Sequence, residues 1–186
     1  MTASGTINGV DVEALTSTIE AVRDHRELGE VTFSLSGAWF NGCRLNAFTG
    51  PLIQAGEADV TRSGKFEMSS DEPSALLGSD TAVSPGEYVL QALAGCYAVT
   101  LACQAAAKGI QISSYKLGLE ADFDLAAFLG IDDTKGTGAQ EVRVQVELES
   151  PNASRVELED LVRLVEQRSP IRGTLTKPVQ VVTTLR

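Results

Sequence analysis

The sequence predicts an α+β protein built on a largely antiparallel sheet. Three observations predict it. The elements run α, several β, a long apolar α, then β, β, α and β, so helices and strands are partly segregated along the chain. Two segments, Glu30–Trp39 and Glu141–Leu148, alternate apolar and polar residues as half-buried strands do. The most apolar stretch, Val89 to Ala107, follows a helix-start signature at Ser84 and contains Gln91, Thr100 and Gln104, which marks a buried core helix rather than a bilayer span.

The chain of 186 residues is long enough for one domain with a substantial core. With no internal repeat, low-complexity tract or linker, residues 1–186 read as a single domain. It divides into an N-terminal helical leader (1–29), N-terminal strands (30–83), a central helix (84–109) and a β-β-α-β segment (110–186). Aromatic residues make up 5% of the chain, so Ala, Val, Leu and Ile must fill the core. The formal net charge of −10 repels phosphate backbones and anionic lipid, which argues against nucleic-acid and membrane-surface partners. Met1 to Gly9 is polar and lacks the basic and apolar regions of a secretory signal. Three cysteines do not suggest a disulfide framework, so a cytoplasmic location with reduced thiols is expected. One histidine, His25, sits among charged residues and reads as a surface side chain, with a catalytic base as the alternative. No metal-ligand, phosphate-loop, dinucleotide or serine-nucleophile pattern is present, so no cofactor or metal is expected. Thiol chemistry remains.

The elements follow in order. Asp11–Leu28 places Val12, Leu15, Ile19 and Val22 on one helical face, with Gly29 past its end. Glu30–Trp39 is a strand, Phe40-Asn-Gly-Cys43 a turn, and Arg44–Phe48 the returning strand of a hairpin. Glu57–Ser69 adds a strand or two, and Ser70–Val83 is loop. Ser84-Pro-Gly-Glu87 is a capping box that opens the central helix, which runs to about Lys108 and stops at Gly109. The helix is apolar nearly all round, so other elements must cover most of it, and Gly95 permits a close backbone approach. Ile110–Leu125 is a strand, Ala126–Ala139 a loop, and Glu141–Leu148 a strand. Ser154-Arg-Val-Glu157 is a second capping box, opening a helix that carries Leu158, Leu161, Val162 and Val165 on one face and that Pro170 ends, and Val179–Thr184 is a last strand.

Cys96 lies near the middle of the central helix. A thiol there is either plain packing or a protected nucleophile. The words around it resemble the OsmC/Ohr family of thiol peroxidases (osmotically induced protein and organic hydroperoxide resistance protein). They are Ser70-Asp-Glu-Pro73, Leu76-Leu-Gly78, Ser84-Pro-Gly-Glu-Tyr-Val-Leu-Gln-Ala-Leu-Ala-Gly-Cys96, Lys108-Gly-Ile110, Phe123-Asp-Leu125, Phe128-Leu-Gly130 and Arg168-Ser-Pro-Ile171. The resemblance implies sheets wrapped around the central helix, an intertwined homodimer with sites at the subunit interface, and a peroxidatic cysteine at Cys96. It also implies a resolving cysteine, and an external dithiol reductant.

The chain departs from that pattern. The resolving position, the residue before Pro170, is Ser169, and a hydroxyl forms no disulfide. Cys103 lies seven residues along the same helix, roughly 10 Å away at ~1.5 Å per residue, beyond disulfide reach, so it reads as core packing. Cys43 sits in the hairpin turn, as a substitute resolver or a surface thiol. The arginine that the resemblance places beside the thiolate is absent from Ser34, Ser36 and Ala38, leaving Arg44 as candidate or as an exposed strand residue. Glu87 is either the family's acid, shifted by one position, or the capping partner of Ser84.

The expected function is therefore reduction of organic hydroperoxides or hydrogen peroxide through Cys96, with an external thiol as reductant. The alternative is a non-catalytic protein of the same fold that binds a small apolar ligand at the dimer interface. A thiol enzyme acting on another electrophile ranks last.

Overall fold

The structure, a computed structural model, describes residues 5–185. Part of the polar start read above, residues 1–4, lies outside the described residues. The first two strands, β1 (Thr6–Ile7) and β2 (Val10–Asp11), form a small hairpin. Its turn residues Asn8 and Gly9 have φ of 56° and 77°, which Asn-Gly adopts with little strain. The sequence reading passed over this hairpin. The Asn8 side chain also donates to the Ile110 carbonyl at 2.9 Å and accepts from the Ile112 N–H at 2.8 Å.

Helix α1 (Val12–Asp24) is shorter than predicted, and a separate turn of 3-10 helix covers Arg26–Gly29. His25 between them is exposed, 3.4 Å from the Glu27 carboxylate. The predicted strand over Glu30–Trp39 is divided into β3 (Val31–Thr32) and β4 (Leu35–Asn41). Ser34 marks the break: its carbonyl accepts from Gly50 N–H and its hydroxyl donates to the Pro51 carbonyl. The following strands are β5 (Arg44–Thr49), β6 (Leu52–Gln54), β7 (Glu57–Asp59) and β8 (Glu67–Ser70). They form two antiparallel sheets, β4-β5-β8 and β3-β6-β7. The hairpin at Gly42 and Cys43 is as predicted, with Asn41 opposite Arg44. The expected half-burial of its first strand is not: every residue of β4 is exposed within this chain.

The loop after β8 is organised by Asp71, which is fully buried. Its carboxylate accepts from the backbone N–H groups of Glu72, Ser79 and Thr81 and from the Thr81 hydroxyl. Gly78 closes the loop so tightly that a Cβ there would lie 1.7 Å from the Glu72 carbonyl oxygen.

Helix α2 (Pro85–Ala107) starts and stops as its sequence predicts. Ser84 Oγ accepts from Gly86 N–H, and Glu87 Oε2 accepts from Ser84 N–H. At the far end Gly109 has φ of 70°, and Ile110 N–H reaches back to the Ala105 carbonyl, closing the last turn. Leu93, Tyr97, Thr100, Leu101, Ala105 and Ala106 are buried. The expectation that elements of the chain cover most of α2 is not met, because only 28% of its most apolar stretch is buried. By length and composition alone, α2 is also long and apolar enough to cross a membrane. One face of it is packed against the chain's own core instead.

That core lies between α2, the hairpin β9 (Ser114–Asp122) and β10 (Glu141–Glu149), and α4 (Arg155–Arg168). Leu119 pairs with Val144 across the hairpin, and Leu161 and Val165 of α4 are 0% and 2% exposed. The strand begins later than predicted because side chains take its first backbone groups: Asn152 Oδ1 accepts from Gln111 N–H, and Asn8 from Ile112 N–H. It ends at Asp122, sooner than predicted, because Asp124 caps a short helix, α3 (Leu125–Phe128), that takes the last residue of the predicted strand and the first of the predicted loop. The Ser154 capping box is complete. Pro170 does not merely end α4; it opens a further helix, α5 (Pro170–Thr176). The predicted last strand is not formed: among the described residues 179–184 pairs with no strand, and Val181 is 86% exposed.

Glu13–Val89 make one compact unit, and the residues up to Val12 with those from Leu90 onward make another. The whole is α+β, with antiparallel pairing throughout its sheets.

Candidate functional site

Cys96 leaves α2 one residue before Tyr97, at the edge of the buried stripe, and is half-buried. The element it meets is the joint between α4 and α5. Ser169 has extended backbone there (φ −70°, ψ 116°) and is followed by Pro170, whose fixed φ suits the first helical position. The Ser169 side chain is 4% exposed. Its hydroxyl donates to Cys96 Sγ at 3.2 Å and accepts from the Arg172 N–H at 3.3 Å. The second contact is an ordinary N-cap bond. A serine hydroxyl holds one proton. With the backbone N–H facing an oxygen lone pair, that proton is free to point at the sulfur.

Beside this joint is a cleft of about 540 Å³, lined by Leu93 and Tyr97 of α2, Val142 and Val144 of β10, Glu166, Arg172, Leu175 and Thr176, and the 138–141 segment. Its walls are mostly apolar, with two carboxylates, Glu141 and Glu166, and one guanidinium, Arg172. Burial pushes the Tyr97 hydroxyl above its ordinary range, the Glu166 charge adds to this, and Arg172 opposes it. Burial, then Tyr97, lifts Tyr115 to about 12. Both phenols therefore stay protonated at neutral pH. Arg172 Nη1 donates to the Glu166 carbonyl at 3.4 Å.

The other predicted residues are placed as follows. Glu87 is engaged with the Ser84 N–H at 2.9 Å, and nine residues separate it from Cys96, about 13 Å along the helix at ~1.5 Å each. Arg44 is half-buried at the start of β5, its guanidinium carbon 5.0 Å from the centre of the Phe40 ring, within cation–π range. Cys43 is exposed, with its sulfur 3.7 Å from the Leu77 carbonyl. Cys103 is half-buried on α2. Among the described residues, no three His, Cys, Asp or Glu side chains gather as a metal site would need. The structure thus brings Cys96 together with Ser169.

Sequence reasoning missed the hydroxyl-to-sulfur contact, the cleft, and the roles of Tyr97, Glu166 and Arg172 in it. One signal was available. Ser169-Pro170 repeats the serine-proline helix start of Ser84-Pro85.

The family model for OsmC-like proteins matches residues 78–184, more than half of the chain. The chain belongs to the OsmC family. The match takes in Cys96, Glu87 and Ser169 and leaves Arg44 outside. Solved structures of similar fold include an OsmC-like protein from Mycoplasma pneumoniae, 21% identical, covering 78% of this chain and 87% of that one with a TM-score of 0.60. An OsmC-like protein of unknown function from Vibrio cholerae is 14% identical and covers 77% of this chain and 92% of its own, with a TM-score of 0.56. An organic hydroperoxide resistance protein OsmC from Legionella pneumophila is 15% identical and covers 77% of this chain and 88% of its own, with a TM-score of 0.55. No curated protein matches the chain. These likenesses establish the OsmC fold.

Proposed function

We propose that this OsmC-family chain is a one-cysteine thiol peroxidase. The observation that carries the reading is Cys96 on α2 with its sulfur against Ser169, the residue standing where the resemblance calls for a resolving cysteine. The Cys96 thiolate attacks the O–O bond of a hydroperoxide; that bond breaks, the alcohol leaves after taking up a proton, and the sulfur becomes a sulfenic acid. An external thiol then attacks the sulfur, water leaves, and a mixed disulfide forms. A second external thiol releases reduced Cys96 and an external disulfide. Support for a peroxide substrate comes from the Legionella relative, described as an organic hydroperoxide resistance protein.

In this reading Arg44 is the candidate cation for the thiolate, and Glu87 serves as a helix cap, an assignment supported by its bond to Ser84. The working unit is a homodimer. Its support is the uncovered apolar face of α2, the exposed Trp39 and Phe40 of β4, and the unpaired 179–184 segment. The unpaired thiols of Cys43, Cys96 and Cys103 suit a reducing, cytoplasmic setting.

The test is stoichiometric. Cumene hydroperoxide should consume the Cys96 thiol one for one in the wild type and leave Cys96→Ser unreacted, and added thiol should sustain turnover. A Cys96 thiol that survives excess peroxide excludes the reading. The second reading is a non-catalytic OsmC-fold protein binding a small apolar ligand, favoured by the apolar walls of the cleft beside Tyr97. It predicts that Cys96→Ala keeps its cellular phenotype.

A further inference from the structure

We propose that Ser169 is the hydrogen-bond donor that positions the Cys96 sulfur, and that it leaves oxidised Cys96 as an isolated sulfenic acid open to a small external thiol. The second half rests on the peroxidase reading; the first does not.

The geometry makes the hydroxyl a directed group. Ser169 is 4% exposed, so solvent does not compete strongly for its proton. Three constraints fix it: Pro170 holds the backbone, the N–H of Arg172 occupies one side of the oxygen, and Cys96 Sγ lies 3.2 Å away on another. A donated bond strengthens as negative charge gathers on its acceptor. The contact therefore tightens wherever negative charge develops on the sulfur. It also holds the Cys96 side chain in one place, by a hydroxyl the α5 cap has already ordered.

The same contact explains what happens after oxidation. Ser169 cannot condense with a sulfenic acid to give a disulfide. Cys103, on the same helix, is too far along the axis to do so. The oxidised sulfur keeps its oxygen until an outside thiol removes it. The side chains already meet, so a sulfur at this position would need to close only about 1 Å to reach the ~2.05 Å bond length of a disulfide.

The test uses the full chain and reads the Cys96 peptide by mass spectrometry. The first arm measures iodoacetamide alkylation of Cys96 at neutral pH. Ser169→Ala should slow it about tenfold and Ser169→Thr should restore it, since a bond to a charged acceptor is worth about a factor of ten or more. Ser169→Gly separates donation from capping, because glycine is tolerated at an N-cap far better than alanine, adds neither charge nor bulk to this buried site, and has no proton to give. It should keep the melting temperature near wild type and still react slowly. Wild-type rates in both Ser169→Ala and Ser169→Gly overturn the positioning role.

The second arm adds one equivalent of cumene hydroperoxide, with dimedone as the sulfenic-acid trap. The wild type should give a dimedone adduct at Cys96. Ser169→Cys should instead give a disulfide between Cys96 and the introduced thiol. A wild-type disulfide to Cys43 or Cys103 overturns the isolated sulfenic acid. If wild-type Cys96 ignores peroxide altogether, the peroxidase reading fails with the second half, and the alkylation arm still decides the first.

Discussion

Leu161 is the residue on which the core of the C-terminal unit closes. It is 0% exposed on α4 and belongs to the cluster with Leu93, Tyr97, Leu101 and Val165. Truncation there removes apolar contacts from a site that packed elements cannot collapse to fill. Leu161→Ala should destabilise the fold by about 3 kcal/mol, read as a fall in the urea midpoint with an unchanged slope. This residue was legible beforehand, as one of the apolar positions on the helix opened by the Ser154 capping box. Ser169 was legible only as a departure from a pattern. Its position could be read from the chain, but its partner could not, because seventy-three residues separate the two side chains. Local signals report local bonds. The N-cap bond from Arg172 N–H is such a bond, and Ser169-Pro170 could have been read as a helix start.

At the scale of elements, helix ends were the most legible feature. Ser84, Gly109 and Ser154 each use groups within a few residues of themselves. Ser154→Ala should cost about 1 kcal/mol, measured by thermal or urea unfolding. Strand ends were less legible, since distant Asn8 and Asn152 take the backbone N–H groups that would have begun β9 sooner. The 71–83 loop hid its organiser in plain polar sequence. Asp71 is held at about 2, below its ordinary 3.8, chiefly by the Thr81 hydroxyl bond and further by three backbone N–H bonds, with burial opposing. A carboxyl lowered in the folded state binds its proton more readily when unfolded. Its contribution is therefore full above about pH 4 and disappears as the pH falls toward 2. Asp71→Asn should be less stable than wild type at pH 7, and its stability should fall less steeply between pH 4 and 2. Parallel acid profiles for the two proteins would show that the loop does not depend on that charge.

The whole molecule explains why burial was the least legible property. The sequence of α2 is apolar on every side, and the expectation of cover was physically sound. The chain itself supplies that cover on one face only. Val99 is 65% exposed on the uncovered face, and among the described residues nothing beyond Gly95's own neighbours and local helix backbone comes within 4 Å of where a Cβ on Gly95 would lie. Outside α2, Trp39 is 71% and Phe33 77% exposed. The alternating Val179 and Val181 pair with no strand among the described residues. Exposed apolar surface of this extent on a chain of net charge −10 is poorly explained by a monomer. A second copy would cover the α2 face and give the 179–184 segment an edge to join, so the antiparallel expectation for that segment would be met between chains. The wild type should then sediment as a dimer at micromolar concentration. Val99→Glu places a charge where the partner must exclude water and leaves the Leu93–Tyr97–Leu101 face untouched. It should weaken dimerisation by at least about a hundredfold, or ~3 kcal/mol, while the far-ultraviolet circular dichroism of the separated chains retains the helix. A variant that sediments with the wild type would mean that this face of α2 is not where two copies meet.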